Sequence, residues 1–160
     1  MEKRTVTRIG NVFCVEIGNK YKCYFQYIAC DKTQLNSPVI RVFKEHYPIG
    51  SSPAIEEILK GEVHFYAHTV IQWGTRNGLW YKVGTSKNIG NIEDIRFRLY
   101  GSKWYWWTIG NPSQYIEQMT DETWKYDLGY VFANKNIIYK IENGILEREI
   151  EEFEKMGRKR

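Results

Sequence analysis

Alternating apolar and polar positions near the start of the chain predict a β-hairpin. Apolar side chains occupy every second position in residues 13–17 and again in residues 21–29, and Gly18-Asn19 separates the two runs. A period of two places one side of each strand in a core, and glycine and asparagine tolerate the positive φ angles of tight hairpin turns. The next apolar run predicts a third strand at residues 39–43.

The middle of the chain predicts a short helix followed by further strands. The helix is expected over residues 53–60, with Ser52 as its N-cap. Residues 63–73 are typical of a strand, and residues 79–83 are expected to pair back on it through a tight turn. Residues 92–100 have features of both element types, because their apolar side chains alternate while residues resembling helix caps stand at both ends.

The last part of the chain predicts a hairpin and then a helix. Residues 129–133 and 136–141 are expected to form the hairpin. Five glutamates within residues 147–154 are interpreted first as a solvated helix face and second as an acidic docking surface. The apolar stripe of this helix consists of Leu146, Ile150, Phe153 and Met156.

These elements together predict a single domain spanning residues 1–160. Its fold class is α+β, mainly antiparallel β in a curled or barrel-like sheet, with a C-terminal amphipathic helix and one or two short helices. The chain is 42% hydrophobic and 16% aromatic, which suffices for one core without disulfide or metal support.

Charge and cysteine content narrow the function classes. A net charge of +4 on 160 residues is too mild to indicate a nucleic-acid-binding protein by itself. The three cysteines are odd in number and form no C-x-x-C pair, which favours a reducing compartment. No stretch resembles a secretion signal or a membrane helix, so we expect a cytoplasmic protein without a membrane partner.

No arrangement of side chains indicates catalysis or a bound cofactor. His64 and His68 have the i,i+4 spacing of a helical metal pair, but on a strand they would lie about 13 Å apart, so both are interpreted as sheet histidines. Cys14, Cys23 and Cys30 lack the electropositive, helix-opening context of a reactive thiol and are interpreted as small buried residues. We therefore expect a protein that is not an enzyme and has no metal or other cofactor.

The run Trp104-Tyr105-Trp106-Trp107 is the most unusual feature of the sequence. On a strand, alternate members of the run face opposite sides, so one pair is expected to be partly exposed unless the sheet core and the C-terminal helix cover both faces. Exposed tryptophan and tyrosine serve as anchors in protein interfaces and as stacking platforms for single-stranded nucleic acids. The candidate binding residues are Trp73, Trp80, Trp104, Tyr105, Trp106 and Trp107.

The opening of the chain resembles a known family. Residues 10–21, Gly-Asn-Val-Phe-Cys-Val-Glu-Ile-Gly-Asn-Lys-Tyr, are similar to the strand, tight turn and aromatic return strand of the immunity protein 26 family of bacterial polymorphic toxin systems. Residues 24–43 are similar in kind. The resemblance implies a small α+β protein that binds a toxin encoded beside it and blocks it, and it offers no catalytic residue.

Three hypotheses follow. The first is an immunity protein that inhibits a cognate toxin domain by steric occlusion, with tryptophan and tyrosine anchors and a charged rim. The second is a nucleic-acid-binding β-barrel protein, and the third is an enzyme with convergent histidine, cysteine or carboxylate groups. The second hypothesis would place basic side chains beside the central aromatic run, namely Arg41, Arg76, Arg96, Arg98 and Lys103.

Overall fold

A computed structural model describes residues 6–155, which form ten β-strands and five helices. The strands are β1 (Asn11–Ile17), β2 (Tyr21–Asp31), β3 (Ser37–Phe43), β4 (Val63–Thr69), β5 (Tyr81–Thr85), β6 (Arg96–Tyr100), β7 (Trp104–Thr108), β8 (Gln114–Ile116), β9 (Asp127–Leu128) and β10 (Val131–Phe132). The helices are α1 (Ile55–Leu59), α2 (Ile71–Arg76), α3 (Asp121–Trp124), α4 (Asn134–Asn143) and α5 (Glu147–Lys155). None of the helices among these residues is long and apolar enough to cross a membrane.

The larger sheet has six strands in the order β10-β4-β3-β2-β1-β5. Its pairs are antiparallel except that β10 lies parallel to β4. Alternating side chains of β1 and β2 meet on one face, where the rings of Phe13 and Phe25 stack with centroids 5.0 Å apart. Trp80 and the α4 residues Ile137 and Ile141 complete this core. The predicted first hairpin and third strand are therefore confirmed.

The opposite face of the larger sheet is covered by two different elements. At one end Tyr24 belongs to an apolar cluster with Ile58 of α1. At the other end Ile28 packs in a cluster with Phe97 and Trp107 of the smaller sheet. Because both faces of β1, β2 and β3 are covered, these strands are buried along most of their length.

The smaller sheet has four strands in the order β8-β7-β6-β9, with β9 parallel to β6 and the other pairs antiparallel. The tryptophan-rich strand β7 lies inside this sheet. On its outer side the Trp104 ring contacts the Trp124 ring of α3, with centroids 5.1 Å apart. Trp124 in turn contacts Phe153 of α5 at 5.0 Å. The protein is thus α+β with curled, antiparallel-rich sheets and a C-terminal helix, as the sequence predicts.

The predicted strand over residues 63–73 is wrong at its C-terminal end, because β4 ends at Thr69 and α2 follows. Trp80 gives the physical reason. Its indole N–H donates a 3.0 Å hydrogen bond to a carbonyl in the first turn of α2. Its ring also lies against Gly74, whose missing side chain allows this close approach. The helical turn therefore forms around a buried indole that the local pattern does not reveal.

Two predicted pairings are replaced by longer-range ones. Residues 79–83 do not pair back on the preceding strand, because β5 pairs with β1. The hairpin predicted from residues 129–133 and 136–141 is also wrong, since β10 pairs with β4 and the chain then enters α4. The Asn134 side-chain amide donates to the Thr69 hydroxyl at 2.9 Å and to the backbone carbonyl oxygen of Val70 at 3.0 Å. These bonds fix the start of α4 at the end of β4.

The remaining helix and strand predictions need smaller adjustments. Helix α1 begins at Ile55, so Ala54 takes the N-cap position predicted for Ser52. Of the two element types predicted for residues 92–100, the structure has a strand, β6, over Arg96–Tyr100. The predicted C-terminal helix is confirmed as α5, while Met156 of its stripe and residues 1–5 lie outside the described residues.

Replacing Gly74 with alanine is expected to lower the free energy of unfolding by about 2 kcal/mol, because overpacking a core costs roughly 1–3 kcal/mol. A Cβ atom at this position would overlap the Trp80 ring. Urea unfolding followed by tryptophan fluorescence measures the change. Gly101→Ala is the matched control, since no atom lies within 4 Å of its Cβ position. Equal losses in the two variants would contradict the packing argument.

Candidate functional site

Three of the six candidate aromatic residues lie in the core. Trp80, Trp104 and Trp107 have only 2%, 8% and 2% of their surface exposed. The Trp107 indole N–H donates to the Asp31 carboxylate at 2.7 Å, between the two sheets. Burial of this kind removes these three side chains from any surface of the protein.

The other three candidates remain accessible to solvent, but they do not form one surface. Trp73 is 59% exposed and projects from α2, where it makes no ring contact with the other five. Tyr105 and Trp106 are half-buried neighbours on β7 that face opposite sides of the smaller sheet. The larger sheet covers Trp107, while α3, supported by α5, covers Trp104. Both faces of β7 are therefore largely covered, and Tyr105 and Trp106 stay partly open.

A cleft lies between β4, the start of β6 and the segment that joins α3 to β9. Its volume is about 370 Å³, and we call it the Asp127 cleft. Its inner lining is formed by Tyr66, Ile95, Arg96, Tyr126 and Asp127, and the exposed residues Asp94, Glu122 and Lys125 complete it.

Trp106 adjoins the cleft through a stack of three side chains. The Arg96 guanidinium lies 5.5 Å from the Trp106 ring centroid and 5.6 Å from that of Tyr126. It also donates a 3.0 Å hydrogen bond to the Tyr126 hydroxyl and contacts Glu122 at 3.5 Å. Cation–π contacts and a charged hydrogen bond hold these side chains in one orientation. The stack presents an ordered aromatic and cationic surface beside the cleft.

Asp127 supplies the carboxylate at the inner end of the cleft. Its Oδ2 accepts a 3.2 Å hydrogen bond from the backbone N–H of Tyr66. Burial raises the pKa of Asp127 to about 6, the nearby Glu149 adds to this rise, and Lys140 and Arg98 oppose it. Burial also raises the pKa of the Tyr66 hydroxyl. The cleft therefore contains a carboxyl group that titrates close to neutral pH.

The cations near Asp127 make hydrogen bonds to other carboxylates. Arg98 donates to Glu152 at 2.9 Å, and Lys140 donates to Glu149 at 3.0 Å. All four of these side chains are at most 10% exposed. Two of the five glutamates of α5 thus turn inward, which corrects the interpretation of this helix face as solvated throughout.

Asp127→Asn is expected to stabilise the protein at alkaline pH. The folded pKa of about 6 lies above the unfolded value of roughly 4, so the contribution of Asp127 is full below pH 4 and is lost as pH rises through 6. Asparagine keeps an acceptor for the Tyr66 N–H and removes this loss. Allowing for partial exposure, we expect the variant to gain about 1–2 kcal/mol relative to wild type between pH 4 and pH 8.

Urea unfolding at a series of pH values measures this difference. Asp94→Asn is the matched control, because Asp94 is an exposed aspartate of the same cleft, and it should not reproduce the gain expected for Asp127→Asn. A pH-independent difference for Asp127→Asn would contradict a raised pKa. Four groups face Asp127 and must stay unsubstituted in this comparison: Tyr66, Lys140, Arg98 and Glu149.

The basic residues of the nucleic-acid hypothesis do not form one surface. Arg41 is 7% exposed and donates to Gln26 at 3.0 Å and to the Asn88 carbonyl at 2.9 Å. Arg98 is 1% exposed within the network described above. Arg76 and Lys103 are exposed on α2 and beside β7, respectively. Of the five, Arg96 is the one that stacks on a half-buried aromatic of β7 and also lines the cleft.

The histidines and cysteines lie outside the Asp127 cleft. His68 is a fully buried sheet histidine whose Nε2 lies 2.9 Å from the Asp31 carboxylate. Its buried Nδ1 has no hydrogen-bond partner among the described residues, so the prediction of a satisfied histidine holds for one ring nitrogen only. Within residues 6–155 no three potential ligands are grouped closely enough to hold a metal ion. Cys14 and Cys23 are buried free thiols, and burial raises the pKa of Cys23 to about 12, which disfavours the reactive thiolate.

Comparison with known proteins does not place the chain in a family. No family model matches it, and neither a curated protein nor a solved structure matches it significantly. The site must therefore be interpreted from its own geometry.

Sequence reasoning missed Asp127, Tyr66 and Tyr126 as candidate site residues. The aspartate lies in a strand of two residues, and its hydrogen-bond partner is 61 positions away in the chain. No local spacing signals such a contact. The signal in the sequence was the alternation of Arg96 and Arg98 with the apolar residues of 95–99, which places both arginines on one face of a strand.

Proposed function

We propose that this protein is a bacterial immunity protein that binds a cognate toxin domain and inhibits it by steric occlusion. The resemblance of residues 10–21 to the immunity protein 26 family supports the proposal. The observation that carries it is the ordered stack of Trp106, Arg96 and Tyr126 beside an open cleft. Tryptophan, arginine and tyrosine are the residue types that contribute most to protein interfaces when they are ordered and partly accessible.

The charges around this stack favour a protein partner over nucleic acid. Asp94 and Glu122 stand beside Arg96 and Lys125 at the cleft. A rim of mixed sign matches the polar border of a protein interface, whereas a phosphate backbone requires a continuous positive surface. The burial of Arg41 and Arg98 removes two of the positive charges that nucleic-acid binding would use.

The deciding experiment measures binding of the purified chain to the product of each adjacent gene, by calorimetry, together with protection of cells that express that product. We expect one neighbour to bind and to lose its toxicity. Trp106→Ala should raise the dissociation constant by about 30-fold, because truncating a central aromatic anchor costs about 2 kcal/mol or more. Circular dichroism confirms that the variant is folded.

Trp73→Ala is the matched control, since it removes an equally large and more exposed indole from a different element. It should change the dissociation constant by less than about threefold. Failure of every adjacent gene product to bind would overturn the proposal. Binding to single-stranded RNA or DNA that weakens steeply with salt would replace it with the nucleic-acid hypothesis.

A further inference from the structure

We propose that the Asp127 cleft receives a lysine or arginine side chain of the protein partner, with the Asp127 carboxylate as its counter-charge. This inference rests on the proposed function and specifies the chemistry that the partner presents. The volume of about 370 Å³ lies at the lower end of the range for ligand pockets, roughly 300–1,000 Å³, and suits the end of a side chain better than a folded segment.

The first argument is that Asp127 has unused acceptor capacity. An ionised carboxylate offers about four lone-pair positions, and the backbone N–H of Tyr66 is its hydrogen-bond donor among the described residues. The two nearby cations make their hydrogen bonds to other carboxylates, Arg98 to Glu152 and Lys140 to Glu149, and act on Asp127 only through their charge. A carboxylate in this position gains from a cation that enters the cleft.

The second argument concerns the other lining groups. Tyr66 and Tyr126 supply aromatic surface, which attracts cations through the negative face of the ring. Asp94 and Glu122 add negative charge near the solvent side. Arg96, the inner cation of the lining, is already engaged by the Tyr126 hydroxyl and by Glu122. The lining holds three carboxylates, Asp94, Glu122 and Asp127, against two cations, Arg96 and Lys125, so its charge balance favours a positively charged ligand.

An anionic ligand fits the same residues poorly. A phosphate could approach Arg96 and Lys125, but it would stand beside Asp94, Glu122 and Asp127. Like charges at such separations repel and raise the cost of binding. The raised pKa of Asp127 agrees with this view, because burial favours the protonated form of the carboxyl more than Lys140 and Arg98 favour the ionised one.

The test titrates the full-length protein, labelled with ¹⁵N and ¹³C, with N-acetyl-arginine amide and with N-acetyl-lysine amide at pH 7.5. N-acetyl-citrulline amide is the matched neutral ligand, and inorganic phosphate is the anionic one. We expect at least one cationic ligand to shift the amide signals of Tyr66, Tyr126 and Asp127. Its presence should also lower the titration midpoint of the Asp127 carboxyl carbon, since a bound cation favours the ionised form.

Asp127→Asn should raise the dissociation constant for the cationic ligand by about tenfold or more, because it removes a charged hydrogen-bond acceptor. Glu56→Gln removes an exposed carboxylate from α1 and should change nothing. The inference is overturned if citrulline binds as well as arginine, if phosphate binds this cleft instead, if neither cationic ligand binds, or if Asp127→Asn leaves the affinity unchanged.

The same variants separate this inference from the proposed function. If an adjacent gene product binds, depends on Trp106, and is indifferent to Asp127→Asn, the immunity function stands and the cation site is wrong. If the arginine ligand binds in an Asp127-dependent manner and no adjacent product binds, the immunity function fails while the cleft keeps its preference for cations.

Discussion

Arg98→Met is expected to lower the free energy of unfolding by about 3–5 kcal/mol, because it removes the nearest cation from the buried Glu152 carboxylate and a second cation from Glu149. The Arg98 side chain is 2% exposed, donates to Glu152 at 2.9 Å and lies 3.8 Å from Glu149. It also lies 5.2 Å from the Trp124 ring centroid. Methionine keeps the apolar stem against that ring, so the loss measures the charge. Denaturant unfolding followed by tryptophan fluorescence gives the change.

The surface ion pair between Lys44 and Glu62 is the matched control. Its nitrogen–oxygen distance is also 2.9 Å, but its side chains are 50% and 76% exposed. Lys44→Met should cost about 0.5 kcal/mol or less, since exposed pairs contribute little. The double variant with Arg98→Met and Glu152→Gln should lose less than the sum of the single changes. A cost for Arg98→Met no larger than that for Lys44→Met would show that burial does not govern this network.

This network explains why part of α5 was misinterpreted from the sequence. Helical periodicity correctly placed Leu146 and Phe153 on the inner face. Glu149 and Glu152 lie on the same side of the helix, three residues apart. From sequence alone, a glutamate next to an apolar stripe is predicted to be solvent-exposed, because the buried cation that would pair with it is not evident. That cation, Arg98, comes from β6 and is 54 residues from Glu152. Only the packed structure reveals it.

The elements that the sequence predicted well are those decided by local chemistry. The first hairpin depends on alternation and on Gly18, which adopts a φ of +54° in the turn. Helix α4 shows the opposite situation. Its residues are apolar enough for a strand, but in the structure Ile137 and Ile141 pack in the core from a helix whose first residue, Asn134, is bonded to Thr69, 65 positions earlier. Tertiary contacts overrode the local pattern there.

The candidate site divides in the same way. Alternation along β7 predicted one exposed pair on a single face, whereas the half-buried members, Tyr105 and Trp106, lie on opposite faces, and Trp106 is the one that joins the cleft region. The cleft itself combines residues from β4, β6 and β9, whose proximity follows from sheet order rather than from spacing. Its carboxylate, Asp127, therefore gave no signal in the sequence.

Asp31→Asn is expected to lower the free energy of unfolding by about 2–4 kcal/mol. Its Oδ2 accepts hydrogen bonds from His68 Nε2 at 2.9 Å and from Trp107 Nε1 at 2.7 Å, and its Oδ1 accepts from the Gly110 N–H at 3.4 Å. An asparagine has one oxygen and presents N–H donors where the other oxygen stood. In either orientation of the amide, the buried donors of His68 and Trp107 lose a charged acceptor, and in one orientation they lose any acceptor; a hydrogen bond to a charged group contributes about 1.5–3 kcal/mol.

The consequence extends beyond one residue because Asp31 connects the two sheets. It ends β2 of the larger sheet, while Trp107 belongs to β7 of the smaller one. Asp94→Asn is the matched control: Asp94 is exposed and bonds locally to Asn91 at 2.7 Å, so its replacement should cost about 0.5 kcal/mol or less. Equal costs would mean that the buried hydrogen bonds contribute nothing to the contact between the sheets.

Acid should reduce the difference between wild type and Asp31→Asn. Burial alone would raise the pKa of Asp31, but hydrogen bonds from His68, Trp107 and Gly110 outweigh it and lower the pKa below its usual value. A lowered folded pKa gives stability that is present above the unfolded pKa of roughly 4 and is lost as pH falls through the folded value. Unfolding curves at stepwise lower pH should therefore converge for the two proteins below about pH 4. A difference that stays constant on acidification would mean that the Asp31 carboxylate is not the group that these donors stabilise.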